Sequence, residues 1–170
     1  ITANGGALNL NLMKHIGFSQ TQSADNYVTD SAAGGTAIAC GTRTNNGVIG
    51  MDPEGKPIKS ILHISEENHK ATGLVSTSAI THATPASFIA HQPSRNMYEA
   101  IAADFLKTDI DLFIGGGEDH FTERQDNRDL TQELKTKGYS VFSSLKAAEG
   151  ALKAPMAIFT AGEHNPTYPE

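Results

Sequence analysis

The chain has 170 residues, enough for one sizeable domain with its own core, and its 13 Lys and Arg against 19 Asp and Glu leave a formal net charge of -6 at pH 7. That balance argues against nonspecific binding to DNA or RNA, and no apolar run approaches the ~20 residues of a membrane span. A single cysteine, Cys40, excludes an internal disulfide and a cysteine-based zinc site.

In chain order, the opening ITANGGALNLNLMKHIGF has no initiator Met and no secretory leader pattern. It reads as mid-domain sequence, which points to a processed or partial chain, with a short helix over 7–14. Residues 27–30 read as the end of a strand, and 31–40, SAAGGTAIAC, as a helix built almost wholly of small residues. DPEGKP at 52–57 is a turn cluster. A helix follows over 58–71, with Ile58, Ile61, Leu62 and Ser65 on one face. TGLVSTSAI at 72–80 is a strand, and Pro85 opens a short helix over 86–91. Met97, Ile101 and Phe105 recur at helical spacing within a helix over 94–108. DLFIGGG at 111–117 is a buried strand ended by glycines. A helix over 129–138 starts on a capping Asp129 and stops at Gly138. YSVF and MAIF are two further short strands. Strands separated by helices of this size indicate an α/β fold with a mostly parallel central sheet flanked by helices, in a single domain over 1–170.

Several stretches have the residue types of a reactive site. Ser31 stands after the acidic Asp30 and before the small-residue helix, where a hydroxyl meets the positive end of a helix dipole. The plain reading of Ser31 is an N-cap, a common role that needs no catalysis. A serine nucleophile needs activation, and no G-x-S-x-G elbow is present. GMDPEGKP, 50–57, nearly matches a phosphate loop, but Pro57 replaces the Ser or Thr that would hold magnesium and the acidic Asp52 and Glu54 oppose an anion, so it reads as a surface turn. His82 and Thr84 lie between a strand and a helix, at the end of a strand where parallel sheets build sites; a solvent-exposed loop is the plain alternative. Arg95 is either a surface cation or a planar fork able to grip phosphate at two points. Asp119 and His120 read as an exposed loop after a strand.

Taken together and in order, these segments resemble the alkaline phosphatase family. YVTDSAAGGTAIACGTRTNNGVIGMD is similar to that family's nucleophile segment and the glycine turn after it. ATGLVSTSAITHATPASFIAH is similar to its next strand and magnesium segment, SRNMY to its arginine segment, and DLFIGGG to the strand and turn beyond. The resemblance covers nearly the whole chain. It implies that Ser31 attacks phosphorus, that Arg95 binds two phosphate oxygens, and that Asp30 orients Arg95. It further implies Thr84 as a magnesium ligand with His82 in the magnesium shell, Ser31 as a zinc contact, and two zinc ions and one magnesium in the complete enzyme. The substrates implied are small phosphate monoesters, the assembly a homodimer and the location periplasmic or extracellular.

The resemblance also implies an N-terminal half that lacks both ends, because the family's D-G-M-G segment and most zinc ligands lie outside these residues. The dipeptide Asp119-His120 is not the family's zinc-binding pair, which belongs much later, and His164 has no fitting context. An inactive phosphate-binding or truncated domain is the alternative. A metal-free serine hydrolase is a third reading, which requires a histidine base at Ser31. Sulfatases and phosphodiesterases of the same superfamily use other nucleophiles, and the Asp-Ser-Ala context favours the monoesterase branch.

Overall fold

In the computed structural model, residues 5–6, 8–151 and 153–167 are described. Strands β1 (Gly73–Ala79), β2 (Leu112–Gly116), β3 (Ser140–Phe142) and β4 (Met156–Phe159) form one sheet in the order β1-β2-β4-β3. Every pairing in it is parallel. Parallel neighbours need crossovers: α3 (Ala83–Ala86) and α4 (Tyr98–Asp104) lie between β1 and β2, and α5 (Asp119–Thr122) and α6 (Leu130–Thr136) between β2 and β3, while α1 (Ser31–Cys40) and α2 (Ile61–Glu67) precede β1.

The core gathers on β2 and β4. Phe105, Phe113, Phe121 and Phe159 are fully buried. Phe105 meets Phe113, and Phe121 meets Phe159, at ring-centroid distances of 4.8 Å in tilted arrangements. Ile101, Leu130 and Leu134 close the cluster from α4 and α6. Truncating one such phenylalanine to alanine costs about 3–5 kcal/mol. At the other end of the sheet, β1 pairs on one side only among the described residues. Val75 on that strand is 72% exposed and Ile61 on the adjoining helix 56%, so this edge is open and apolar.

The strands and most helices fall where the hydrophobic pattern predicts, with several corrections. The expected helix over 7–14 is only a 3-10 turn at Asn9–Leu12 with no buried residue; residue 7 itself lies outside the described residues. A strand end at 27–30 does not form. That stretch is a loop held by side chains, with Asn26 accepting from Val28 N–H and Ser23 hydrogen-bonded to Asp25. The helix over 58–71 shrinks to α2, because Ser60 caps it: its hydroxyl accepts from His63 N–H, and the His63 ring answers the Ser60 N–H. Of the face expected there, Leu62 is buried and Ile61 is exposed.

Pro85 does not open a helix over 86–91; it sits inside the single turn α3, which starts at Ala83, where a missing N–H costs nothing. The helix over 94–108 starts only at Tyr98 and tightens into a 3-10 turn at Phe105–Lys107. Met97 consequently stays exposed, whereas Ile101 and Phe105 are buried. Asp129 does cap α6, accepting from Thr131 and Gln132 N–H, and Gly138 follows it at φ 100°.

Candidate functional site

The site is built at the N-terminus of α1. Asp30, not Ser31, is the N-cap: Asp30 Oδ1 accepts from Ala32 N–H at 3.1 Å and Ala33 N–H at 2.9 Å. Ser31 is thereby the first helical residue. It is exposed, and among the described residues neither its N–H nor its hydroxyl has a hydrogen-bond partner. The capping role that first explained Ser31 belongs to its neighbour, which leaves the hydroxyl free for another purpose. No described histidine hydrogen-bonds it.

Asp30 Oδ2 makes two further contacts. It accepts from Gly47 N–H at 3.0 Å and meets Arg95 Nη1 at 3.1 Å. The same turn grips both partners. Asn46 Oδ1 accepts from Asp30 N–H, Asn46 Nδ2 donates to Val28 O, and Arg95 N–H donates to Gly47 O. Burial alone would raise the Asp30 pKa; the hydrogen bonds from Ala33, Gly47 and Arg95 outweigh it and hold the carboxyl below its ordinary value. Asp30 is therefore an anion at neutral pH, facing the Arg95 cation.

Arg95 has a second partner. Its Nη2 lies 3.2 Å from His82 Nε2. A guanidinium only donates, so His82 Nε2 accepts and its proton resides on Nδ1. Burial, then the charges of Arg95 and His164, lower the His82 pKa. Thr84, two residues on, is exposed. It lines a cavity of about 270 Å³ at the open edge of β1 with Ser76, Ser78 and Phe88. Its hydroxyl has no hydrogen-bond partner among the described residues.

The small-residue run of α1 has a packing reason. A Cβ on Gly35 would lie 2.8 Å from Ser87 Oγ and 3.4 Å from Thr84 Cα. Only a glycine lets α3 come this close. The contact fixes the segment bearing His82 and Thr84 against the helix bearing Ser31. Gly50 plays a similar part: at φ 59°, its Cβ would stand 2.1 Å from Ala90 O.

Asp119 and His120 are not an exposed loop. They open the short helix α5, and the His120 side chain is only 12% exposed. Its Nδ1 lies 2.7 Å from Thr81 Oγ1, and its ring stacks on Tyr98 at 4.7 Å. Burial lowers its pKa despite the nearby Glu163 and Asp119.

A family profile described as alkaline phosphatase matches residues 2–157. The chain belongs to the alkaline phosphatase family. It is 43% identical to alkaline phosphatase 4 of Bacillus subtilis over 129 residues, which cover 72% of this chain and 28% of that protein. Against the repressible alkaline phosphatase of Saccharomyces cerevisiae it is 38% identical over 164 residues, 85% of this chain and 29% of the relative. Among solved structures, the alkaline phosphatase of the Antarctic bacterium TAB5 superposes with a TM-score of 0.88 at 40% identity, over 95% of this chain and 48% of that one. The Thermus thermophilus alkaline phosphatase gives 0.83 at 35% identity, over 96% of this chain and 36% of its own. The chain thus spans less than half the length of these alkaline phosphatases.

Among the described residues, no group of three or more His, Cys, Asp or Glu side chains is arranged to hold a metal ion. The free hydroxyls of Ser31 and Thr84 are single oxygen donors, and neither forms a metal cage alone. Cys40 lies at the opposite end of α1 from Ser31, and burial pushes its thiol up to about 11.

Sequence reading missed two supports of the site. Asn46 and Gly47 tie Asp30 and Arg95 to one turn, and the N-N-G triplet was a visible turn signal. His164 reaches the site from 82 residues beyond His82, and no local pattern marks it.

Proposed function

We propose that the complete protein hydrolyses phosphate monoesters through a phosphoserine intermediate on Ser31. One observation carries the reading: the unpartnered, exposed Ser31 hydroxyl directly follows the carboxylate that holds Arg95 at 3.1 Å. The planar fork of Arg95 suits two phosphate oxygens at once. The free Ser31 N–H at the head of α1 adds a donor and the positive end of the helix dipole. Asp30 limits the swing of the guanidinium and so prepays part of the cost of orienting it.

In the first step, Ser31 Oγ bonds to phosphorus while the bond to the ester oxygen breaks and the alcohol leaves. In the second, water attacks phosphorus, the Ser31 Oγ–P bond breaks, and inorganic phosphate leaves with Ser31 restored. Arg95 neutralises the equatorial oxygens in both. A serine hydroxyl needs activation for this chemistry. Two zinc ions and one magnesium, bound largely by residues outside those described, would supply Lewis acidity to the serine, water and leaving oxygens. From this chain, Ser31 would contact zinc, and Thr84, with His82 in the shell, would contact magnesium. Variants of the Antarctic alkaline phosphatase have Mg bound in a site called M3, which supports the magnesium assignment. A homodimer in the periplasm or outside the cell is part of the same proposal. No described helix is long and apolar enough to cross a membrane.

The second reading, a phosphate-binding domain without turnover, is favoured by the incomplete metal donors among the described residues. Turnover of p-nitrophenyl phosphate by the full-length protein at alkaline pH separates the two. The proposal expects turnover that is lost with chelator and in Ser31→Ala; turnover that survives Ser31→Ala refutes it.

A further inference from the structure

The segment after β4 crosses over the end of β2 and is fastened along its length. Thr160 N–H donates to Gly115 O, Gly117 N–H to Ala161 O and Glu163 O, and Asp119 N–H to Gly162 O. The approach is close enough that a Cβ on Gly116 would stand 2.0 Å from Glu163 O. The segment then reaches β1. Asn165 Nδ2 donates to Thr77 O at 3.1 Å, and His164 Nδ1 accepts from Ala79 N–H at 3.0 Å. That bond places the His164 proton on Nε2 and sets the plane of its ring. The ring stands edge-on to His82, with centroids 5.3 Å apart and planes at 74°.

His82 needs such a neighbour. It precedes α3 without a side-chain cap bond, and its ring has one hydrogen bond among the described residues, the one from Arg95. A ring held at a single atom can swing about its side-chain torsions, and Arg95 would then lose the acceptor for Nη2. From this arrangement we infer that His164 is a positioning residue for phosphate binding: its fixed ring holds His82 so that Nε2 faces Arg95, and His82 together with Asp30 holds the guanidinium ready for phosphate. The inference rests on the phosphatase reading of Arg95. It places a contribution to the site on a segment 82 residues distant in sequence from His82, delivered by the backbone of β4.

The test is a double-mutant cycle on the full-length protein, read as the dissociation constant of inorganic phosphate by calorimetry, with melting temperatures alongside. His164→Ala is expected to weaken phosphate binding roughly three- to tenfold, a size typical of coupling between contacting side chains. In a His82→Ala background the same substitution is expected to change nothing further. His164→Asn keeps an acceptor for Ala79 N–H, and so keeps the segment fastened, but removes the ring; it too is expected to weaken binding. Imidazole nitrogen spectra are expected to show His82 as the Nδ1–H tautomer in the parent and as a tautomer mixture in His164→Asn. Additive effects of His82→Ala and His164→Ala, or parent-like binding in His164→Asn, overturn the inference while Arg95→Ala still weakens binding. If Arg95→Ala itself leaves phosphate binding unchanged, the phosphatase reading of this site fails, and the inference falls with it.

Discussion

Asp30 and Arg95, 65 residues apart in the chain, meet at 3.1 Å, with side chains 27% and 25% exposed. The pair is neither buried nor freely solvated. Its strength lies less in Coulomb attraction, which solvent partly screens, than in shared backbone anchors. Gly47 donates its N–H to the Asp30 carboxylate and accepts from the Arg95 N–H. The cation is therefore placed by the fold before phosphate arrives.

Removing the cation should show in phosphate affinity. Arg95→Ala in the full-length protein is expected to raise the inhibition constant for inorganic phosphate at least about tenfold, since charge-assisted hydrogen bonds contribute roughly 1.5–3 kcal/mol. Its effect on turnover at saturating substrate is expected to be smaller. Arg95→Lys restores only part of the affinity, because an ammonium lacks the planar fork. Competitive inhibition by phosphate at alkaline pH checks all three.

Asp30 should matter to stability through its cap. Asp30→Ala removes the acceptor for two N–H groups at the start of α1 and is expected to cost about 1–2 kcal/mol. Asp30→Asn retains an acceptor oxygen there and is expected to cost less. Denaturant unfolding of the two variants measures the difference; equal losses would contradict the capping role.

Gly35 is the position where α1 and α3 touch. A Cβ there would stand 2.8 Å from Ser87 Oγ, so Gly35→Ala overpacks the contact and is expected to cost about 1–3 kcal/mol. Ser87→Ala in the same chain, which removes that oxygen, should recover part of the loss. Thermal melting of the single and double variants is the check.

Acid should destabilise the protein through its histidines. Burial first, then the charge of His91 stacked 5.2 Å away, lower the His63 pKa below 6.5; Glu67 and Asp104 oppose the shift and Lys59 adds to it. Burial likewise leads the downward shifts of His82 and His120. A base with a depressed folded pKa binds fewer protons than the unfolded chain just below 6.5, so stability is full above that value and falls as pH drops through the window down to the folded pKa. The melting temperature is expected to fall as the pH drops below about 6.5, and His63→Gln is expected to flatten part of that slope.

Much of this was legible in the residues, for identifiable reasons. The strand at 156–159 and the helix at 31–40 have the predicted boundaries because short apolar or small-residue runs there end in clear breakers. The bulky, regularly spaced Ile101 and Phe105 reported their burial directly. Tertiary contacts overrode local pattern elsewhere. Ser60 caps α2 two residues beyond the predicted start, and its hydroxyl also donates to Phe88 O, 28 residues away. The Asp30 cap at Ser31 was hidden because Asp and Ser are both good caps and only the backbone tells which residue is first. His164 was illegible because its neighbours in space, Ala79 and His82, come from another strand and its far loop.

The most direct test of the central claim is to trap the intermediate. Full-length protein is incubated with inorganic phosphate at acidic pH, where a phosphoserine persists, then quenched, digested and mapped by mass spectrometry. The account predicts one phosphorylated residue, Ser31, and its loss in Ser31→Ala. A phosphate on Ser23, Thr29 or Thr36 instead, or a label that remains in Ser31→Ala, would contradict it.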